Sequence, residues 1–305
     1  MAERKSIQDC ISSNKRKSFF FVALLAILLT GFCAALSAFF PPEEQGAVVV
    51  ISLICVAAYI LFGYFKGSAA IMALSGAKEA DPKSERLLYN VVEEMAIAGG
   101  LPMPKVYIME EEAPNAFATG RNPKDSAVAV TRGLLMKLNR YELQGVIAHE
   151  LSHVRHYDIL FSTLVCFMVG AVAMIARFAW RLLIFGGGRR SSSRKAGQGQ
   201  GLILIVCLAL MIFAPILSTI VQLAISRERE YLADAGAVAL TRNPEGLARA
   251  LEKIAADPGE VKAASGATRA LFISEPFKKS FFGADSLFAT HPPIAKRVAR
   301  LRAMS

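Results

Sequence analysis

Histidine and tryptophan are scarce in this sequence, and the motifs of several large protein classes are missing from it. The 305 residues include only four histidines and one tryptophan. The sequence contains no P-loop and no strand with the aromatic residues of an RNA-binding motif. ATP dependence is therefore not indicated, and we expect no nucleic-acid partner.

The cysteines form no recognisable framework either. Four of the five lie within apolar runs, and Cys10 lies in a basic segment near the N terminus. None has a spacing typical of a metal site or a disulfide. We interpret them as small apolar side chains in packed or lipid-facing helices, which is consistent with a soluble part that faces a reducing cytosol.

Apolar residues and positive charge are both in excess. Hydrophobic residues make up 54% of the chain, the mean hydropathy is +0.41, and the net charge is +10. A soluble domain of average composition is less apolar than this. Because so much of the sequence is apolar, we interpret the positive charge as facing lipid headgroups, and the sequence predicts a protein of the lipid bilayer.

Two apolar runs near the N terminus predict a transmembrane hairpin at residues 19–65. The first run, Phe19–Phe40, can cross a hydrocarbon core of about 30 Å at about 1.5 Å per residue, and it is longer than the apolar region of a signal peptide. Residues 1–18 form a basic tail, whereas the turn at residues 41–46 is acidic. The positive-inside rule therefore places the tail and Lys66 in the cytoplasm.

Residues 66–158 have the composition of a soluble domain with a small β-sheet. A helix is predicted over residues 81–98, and short strands are predicted at residues 105–109 and 127–131. An exposed edge of such a sheet can bind an extended peptide through main-chain hydrogen bonds. Asn115 and Ala116, between the two strands, are therefore candidate substrate contacts, although an asparagine that only turns the chain explains Asn115 equally well.

The pattern H-E-x-x-H is formed by His149, Glu150 and His153. Helical residues four apart lie on the same face, so two imidazoles at this spacing can bind one metal ion. The surrounding residues 141–157 contain no proline, which leaves the required helix possible, and this context argues against a polar stripe on a surface helix. The pattern predicts metal-assisted hydrolysis of an amide bond, with Glu150 as general base.

A second apolar hairpin is predicted at residues 159–225, with a flexible basic linker at residues 186–200. If both of its segments cross the bilayer, the linker lies outside, against the positive-inside rule. A re-entrant pair would keep the linker inside. We favour crossing, because each segment is long enough and the residues on both sides must meet at one site. About four transmembrane or membrane-embedded helices are then expected.

The third ligand is predicted in residues 226–305, the second part of the soluble domain. Glu230 and Asp234 share a helical face, so Glu230 can bind the metal while Asp234 hydrogen-bonds a ligating histidine. Continuous helices would place His153 and Glu230 at similar heights, roughly 9 Å outside the membrane. Two imidazoles, one carboxylate and an open position suit zinc, with one ion per chain.

Several other polar residues are alternative ligands or members of the site. Glu228 lacks a second carboxylate four residues on, so we interpret Glu228, Arg227 and Arg229 as charges at the membrane interface. His156 does not have the spacing of the third histidine in metzincins. Asp158 either orients the site or caps a helix, and the cap is favoured. His291 can donate a hydrogen bond to the oxyanion of the transition state, or it can simply precede a helix that begins at the following prolines.

These motifs together resemble the HtpX family of membrane-bound zinc metalloproteases. The resemblance covers, in order, two N-terminal spans, residues 115–120, the H-E-x-x-H pattern, two further apolar runs, residues 230–234 and residues 290–293. It implies a gluzincin-type endopeptidase, mainly α-helical with a small β-sheet in a zincin-like α+β domain. Such an enzyme would lie in the bacterial inner membrane, face the cytoplasm and degrade misfolded or damaged membrane proteins or unfolded polypeptides.

The family pattern implies specific roles for five residues. By the resemblance, His149, His153 and Glu230 bind zinc, Glu150 is the general base and His291 assists at the transition state. Two alternatives remain open from the sequence. One is a CaaX prenyl protease with the same metal chemistry, and the other is a catalytically silent membrane scaffold, which would have no need of Glu150. No feature of the sequence specifies an oligomeric state.

Overall fold

The structure is a computed structural model, and it describes most of the chain. The described residues are 7–37, 41–186, 227–262, 268, 271–273 and 292–304. Most of the predicted basic linker, the apolar run at residues 201–225 and His291 lie outside these residues.

The described residues are mainly helical, as the sequence predicts. The helices are α1 (Ile7–Ser37), α2 (Pro42–Leu74), α3 (Arg86–Gly99), α4 (Arg132–Lys137), α5 (Arg140–Arg155), α6 (Asp158–Gly186), α7 (Arg227–Thr241), α8 (Pro244–Ala256) and α9 (Ile294–Arg302). The strands are β1 (Lys78–Glu79), β2 (Lys105–Met109), β3 (Ala116–Gly120) and β4 (Ser126–Thr131). The prediction of a mainly α-helical protein with a small sheet is confirmed.

Helix α3 begins later than predicted. The carboxylate of Asp81 accepts hydrogen bonds from the backbone N–H groups of Lys83 and Ser84. An aspartate that binds the backbone in this way stabilises a turn in competition with a helix. The chain therefore turns after Asp81, and the helix begins at Arg86.

The four strands form one mixed sheet in the order β1-β2-β4-β3. Strands β2 and β4 are parallel, whereas β1 pairs with β2 and β3 pairs with β4 in antiparallel fashion. The sequence prediction placed residues 116–120 in a connection, but they form strand β3 at the edge of the sheet. Their small, weakly alternating side chains explain why the strand pattern was missed.

The sheet is buried on both of its faces. Val128 and Val130 of β4 pack in the main core with helices α3, α5 and α8. The alternate residues Ala127 and Ala129 belong to a second cluster that includes Ile71 from the end of α2. The sheet therefore packs against helices α3, α5 and α8 on one face and against the end of α2 on the other.

The long N-terminal helices expose apolar side chains that suit a lipid environment. Within the described part of the chain, α2 is the only single helix that is long and apolar enough to span a membrane. The side chains of Ile51, Ile54 and Phe65 on this helix are 58 to 63% exposed. Helices α5 and α6 meet the same criterion only as a pair bent by 83°. Exposed apolar side chains on a helix of this length suit contact with lipid.

Candidate metal centre

Helix α5, which carries the H-E-x-x-H pattern, begins at a capping box. The Asn139 side chain accepts a hydrogen bond from the backbone N–H of Glu142, and the Glu142 carboxylate accepts one from the backbone N–H of Asn139. Lys253 of α8 donates to the same carboxylate at 2.7 Å. These bonds satisfy N-terminal N–H groups and fix the start of the helix about two and a half turns before His149.

Three side chains converge on one point where α5 meets α7. The Nε2 atoms of His149 and His153 are 3.3 Å apart. The Glu230 carboxylate lies 3.6 Å from His153 Nε2 and 3.8 Å from His149 Nε2. Four ligand atoms around a zinc ion, with bonds of about 2.0–2.2 Å, lie about 3.3 Å from one another. The donor set therefore fits a zinc ion.

Close packing of α7 on α5 brings Glu230 to the histidines. A Cβ atom placed on Gly236 would lie 2.4 Å from Ser152 Oγ. No larger side chain fits at this position without displacing one of the two helices. Gly236 thus permits the approach that places Glu230, in the first turn of α7, above the two imidazoles.

Each histidine is oriented by a carboxylate on its other ring nitrogen. His149 Nδ1 lies 3.0 Å from Asp234, and His153 Nδ1 lies 3.0 Å from Asp158. A hydrogen bond of this kind fixes the tautomer and leaves Nε2 as the metal-binding atom. Asp234 occupies the place that the sequence predicts. Asp158 begins helix α6 and also contacts the metal helix, so it orients the site as well.

Arg297 is a member of the site that sequence reasoning missed. Its side chain is completely buried, and it donates to both carboxylate oxygens of Asp234 at 2.7 and 2.9 Å. It also donates to the carbonyl of Ile273 at 3.2 Å and lies 3.5 Å from Glu230. A buried charge requires such partners, because desolvation of an unpaired ion is very unfavourable.

A signal for Arg297 was present in the sequence. Ile294, Val298 and Leu301 recur at helical spacing and form the apolar face of the last helix, and Arg297 lies on that face. A charged residue within an apolar face indicates a buried counterion elsewhere in the chain. The partner itself, Asp234, is recognisable only from the folded structure.

The two histidines differ in their electrostatic surroundings. Burial lowers the pKa of His149 to about 4, with help from the positive charge of Arg297 and against the effect of Asp234. Burial also acts to lower the pKa of His153, but the hydrogen bond to Asp158 and the charge of Glu230 outweigh it and raise that pKa to about 9.

Glu150 lies beside the ligands and is almost completely buried. Burial raises its pKa to about 7, and the backbone N–H of Ala118 donates a hydrogen bond to its carboxylate. A carboxylate with a pKa near neutrality can both accept and return a proton at physiological pH. Glu150 also lines a small cleft together with His149, His153 and Phe272. The arrangement provides a base beside the candidate metal ligands.

The predicted substrate contacts lie at the edge of the sheet, close to this cleft. Asn115 is buried, and its side chain accepts a hydrogen bond from the backbone N–H of Ala116. The carbonyl of Ala116 accepts a hydrogen bond of 2.9 Å from the backbone N–H of Ile273. The chain's own segment 271–273 therefore lies against the β3 edge at Ala116. His291 lies outside the described residues.

Two charged neighbours of Glu230 occupy different environments, although the sequence suggested an interfacial role for both. Glu228 is exposed. Arg229 is buried, with its guanidinium 4.5 Å from the ring centroid of Phe161 and 3.6 Å from Asp158. The interpretation of Arg229 as interfacial charge is therefore wrong, because the side chain is buried between α7 and the start of α6.

Two imidazoles and a carboxylate that converge beside a buried glutamate are the features of a metal-dependent hydrolase. Comparison with known proteins assigns the class more narrowly. Residues 82–305 match the description "Peptidase family M48". The chain belongs to peptidase family M48, and it is a membrane zinc metalloprotease.

Curated relatives agree over most of their length. The chain is 48% identical over 257 residues to "Protease HtpX homolog" of Listeria monocytogenes serotype 4a, covering 81% of this chain and 84% of the relative. It is 45% identical over 255 residues to the protein of the same name from Streptococcus gordonii, with coverage of 83% and 85%. The resemblance to the HtpX family is thereby confirmed.

A solved structure also resembles the chain at low identity. The crystal structure of Ste24p from S. mikatae aligns with a TM-score of 0.48 and 18% identity. The alignment covers 95% of this chain and 67% of that chain.

Proposed function

We propose that this protease uses His149, His153 and Glu230 to bind one zinc ion and Glu150 as its general base, and that it cleaves misfolded or damaged membrane proteins. The convergence of the three candidate ligands carries this proposal, since one ligand atom from each lies within 4.8 Å of the others. The buried Glu150 beside them supplies the proton-transfer group that metal binding alone would not require.

Peptide hydrolysis at this site follows from the positions of its side chains. Zinc, when bound, supplies a Lewis acid that polarises water and the scissile carbonyl. Glu150 accepts a proton as the water oxygen bonds to the carbonyl carbon, and it returns that proton to the amide nitrogen as the C–N bond breaks. By the family pattern, His291 would donate a hydrogen bond to the oxyanion, and Asp234 and Asp158 hold the two imidazoles in place.

The β3 edge at Asn115 and Ala116 is the proposed binding site for the substrate backbone. The carbonyl of Ala116 is already used in a main-chain hydrogen bond to Ile273, which is the kind of bond that an added substrate strand would make. We infer that a substrate backbone binds along this edge, next to segment 271–273. Main-chain recognition suits a protease that acts on many unfolded polypeptides.

The membrane arrangement is proposed as a multi-pass protein of the bacterial inner membrane. Residues 19–65 form the first hairpin and residues 159–225 the second, giving about four membrane helices. The basic tail at residues 1–18 and the two catalytic parts, residues 66–158 and 226–305, face the cytoplasm. Helix α2 and the apolar composition of α6 support this arrangement.

Cleavage by purified protein tests the assignment of the base. Detergent-purified wild type and Glu150→Gln are incubated with an unfolded soluble protein and with a membrane protein, and bound zinc is measured in both variants. We expect one zinc per chain in both and cleavage by the wild type alone, because glutamine keeps the shape of the side chain but cannot accept a proton. Comparable cleavage by Glu150→Gln would refute the role of Glu150.

A matched pair on helix α7 tests the third ligand. Glu230→Gln is expected to lose bound zinc, whereas Glu228→Gln, two residues away and exposed, is expected to retain both zinc and activity. Zinc loss in Glu228→Gln with retention in Glu230→Gln would reverse the assignment.

A further inference from the structure

Asn14 links the first N-terminal helix to the metal centre. It lies in the polar first part of α1, more than one hundred residues from the metal helix in sequence, and its side chain is only 4% exposed. Its Nδ2 atom donates to the carbonyl of His156 at 2.9 Å and to Asp158 Oδ1 at 2.6 Å. Both acceptors lie at the junction between α5 and α6.

The two carboxylate oxygens of Asp158 divide between α1 and the metal helix. Asp158 Oδ2 lies 3.0 Å from His153 Nδ1, while Oδ1 accepts the hydrogen bond from Asn14. Arg229 lies farther from Oδ1, at 3.6 Å. A carboxylate that is held through one oxygen cannot rotate freely about its own axis. Asn14 therefore contributes to how Oδ2 is presented to His153.

The contact between α1 and this junction extends beyond one hydrogen bond. The Lys15 ammonium lies 4.5 Å from the ring centroid of Tyr157. Tyr157 has a φ of 61°, an uncommon backbone conformation for a non-glycine residue, and it marks the sharp bend between α5 and α6. A buried amide is unfavourable without partners, so both bonds of Asn14 are needed to keep it in place.

We propose that Asn14 is a positioning residue for the zinc site, which acts through Asp158 on His153 and so makes the metal affinity depend on the docking of α1. The inference rests on the proposed ligand set. Residues that orient a metal ligand typically change metal affinity by about 10- to 100-fold when they are removed. Asn14 is one contact farther from the metal than Asp158, so we expect an effect near the lower limit, about 10-fold.

The test is a double-mutant cycle that measures zinc affinity rather than activity. The zinc dissociation constant of the full-length protein in detergent is measured by competition with a chelator of known affinity, for wild type, Asn14→Ala, Asp158→Asn and the double variant. Asn14→Ala is expected to bind zinc about 10-fold more weakly than wild type. The double variant should bind zinc as Asp158→Asn does, because the residue through which Asn14 acts is already altered.

Two further variants separate positioning from packing. Ser18 lies one turn farther along the same helix and is also buried, at 3% exposure, so Ser18→Ala disturbs the same helix face and should leave zinc affinity within about two-fold of wild type. Asn14→Leu keeps a side chain of similar size but removes the hydrogen bonds. It should also bind zinc about 10-fold more weakly than wild type, so it tests the inference if Asn14→Ala folds poorly.

Each adverse result has a distinct meaning. The inference would be overturned, with the ligand set intact, if Asn14→Leu bound zinc as tightly as wild type. It would also be overturned if Asn14→Ala weakened zinc binding by the same factor in the wild-type and Asp158→Asn backgrounds. A wild-type protein without stoichiometric zinc would overturn the ligand set and the inference together.

Discussion

The two histidines of the metal centre are oriented in the same way but anchored by different parts of the molecule. His149 binds Asp234, and Asp234 is held by the buried guanidinium of Arg297. His153 binds Asp158, whose other oxygen accepts a hydrogen bond of 2.6 Å from the amide of Asn14 and lies 3.6 Å from the guanidinium of Arg229. The first anchor comes from the C-terminal helix of the soluble domain and the second from the polar start of α1.

The comparison shows that the two carboxylates that orient the histidines are held by different kinds of contact. The Arg297–Asp234 pair is an ion pair deep in the protein, so removal of either charge leaves the other unpaired in a poorly solvated place. The Asn14–Asp158 contact involves one charge and one amide at the junction of α5 and α6. We therefore expect loss of the Arg297–Asp234 pair to lower mainly the free energy of unfolding. We expect loss of the Asn14–Asp158 contact to change mainly how the zinc affinity depends on α1.

The largest expected effect comes from breaking the ion pair. Arg297→Met keeps a long side chain but leaves Asp234 buried without its main counterion, and we expect the free energy of unfolding to fall by about 3–5 kcal/mol. The measurement is denaturant-induced unfolding in detergent. Lys296→Met, at the adjacent exposed position, is the control and should change stability little. An Arg297→Met protein as stable as this control would show that the ion pair is not a main support.

The next effect separates the two carboxylates. Asp234→Asn and Asp158→Asn should each weaken zinc binding by about 10- to 100-fold, because each amide orients its histidine less firmly. Asp234→Asn should also lower the thermal unfolding midpoint more than Asp158→Asn, because Arg297 is bound to Asp234 at 2.7 and 2.9 Å, whereas Arg229 lies 3.6 Å from Asp158. Chelator competition and thermal unfolding measure the two quantities. Equal unfolding midpoints for the two variants would show that Asp234 and Asp158 contribute equally to stability, contrary to the proposed difference between the supports of His149 and His153.

The smallest effect concerns a feature that both histidines share. Asn139→Ala removes the N-cap of α5 and should lower the free energy of unfolding by about 1 kcal/mol. Because His149 and His153 both lie on α5, the loss should affect the positions of the two histidines alike. Asn122→Ala, which removes the side-chain cap of a short exposed turn, serves as the comparison. A greater loss of stability in Asn122→Ala than in Asn139→Ala would contradict the importance assigned to the start of α5.

Much of the fold was predictable because its signals are local. The helix that carries His149 is predicted from the spacing of the H-E-x-x-H pattern and from the absence of proline around it. Strand β3 was missed because its residues are small and buried on both faces, which removes the alternation that identifies a strand. The late start of α3 was missed because the side chain of Asp81 competes for the backbone.

The site was predictable to the extent that its residues share a helix. His149, Glu150 and His153 are spaced by one helical turn, and Glu230 and Asp234 are spaced in the same way, so each group is recognisable on its own. That the two groups meet was inferred from chain order and height above the membrane, and the structure brings their side chains together. Arg229 was interpreted as interfacial charge because charged residues are seldom buried, and Arg297 was not distinguished from the other basic residues of the last helix.

The sequence by itself determined the chemistry of this protein, since the periodicity of a helix places two imidazoles and a base on neighbouring positions. Only the tertiary structure decided what supports that chemistry. Arg297 and Asn14 come from opposite ends of the chain, and their roles arise because buried polar groups must find partners wherever packing brings them. Such pairing depends on the fold as a whole, and no local pattern reveals it.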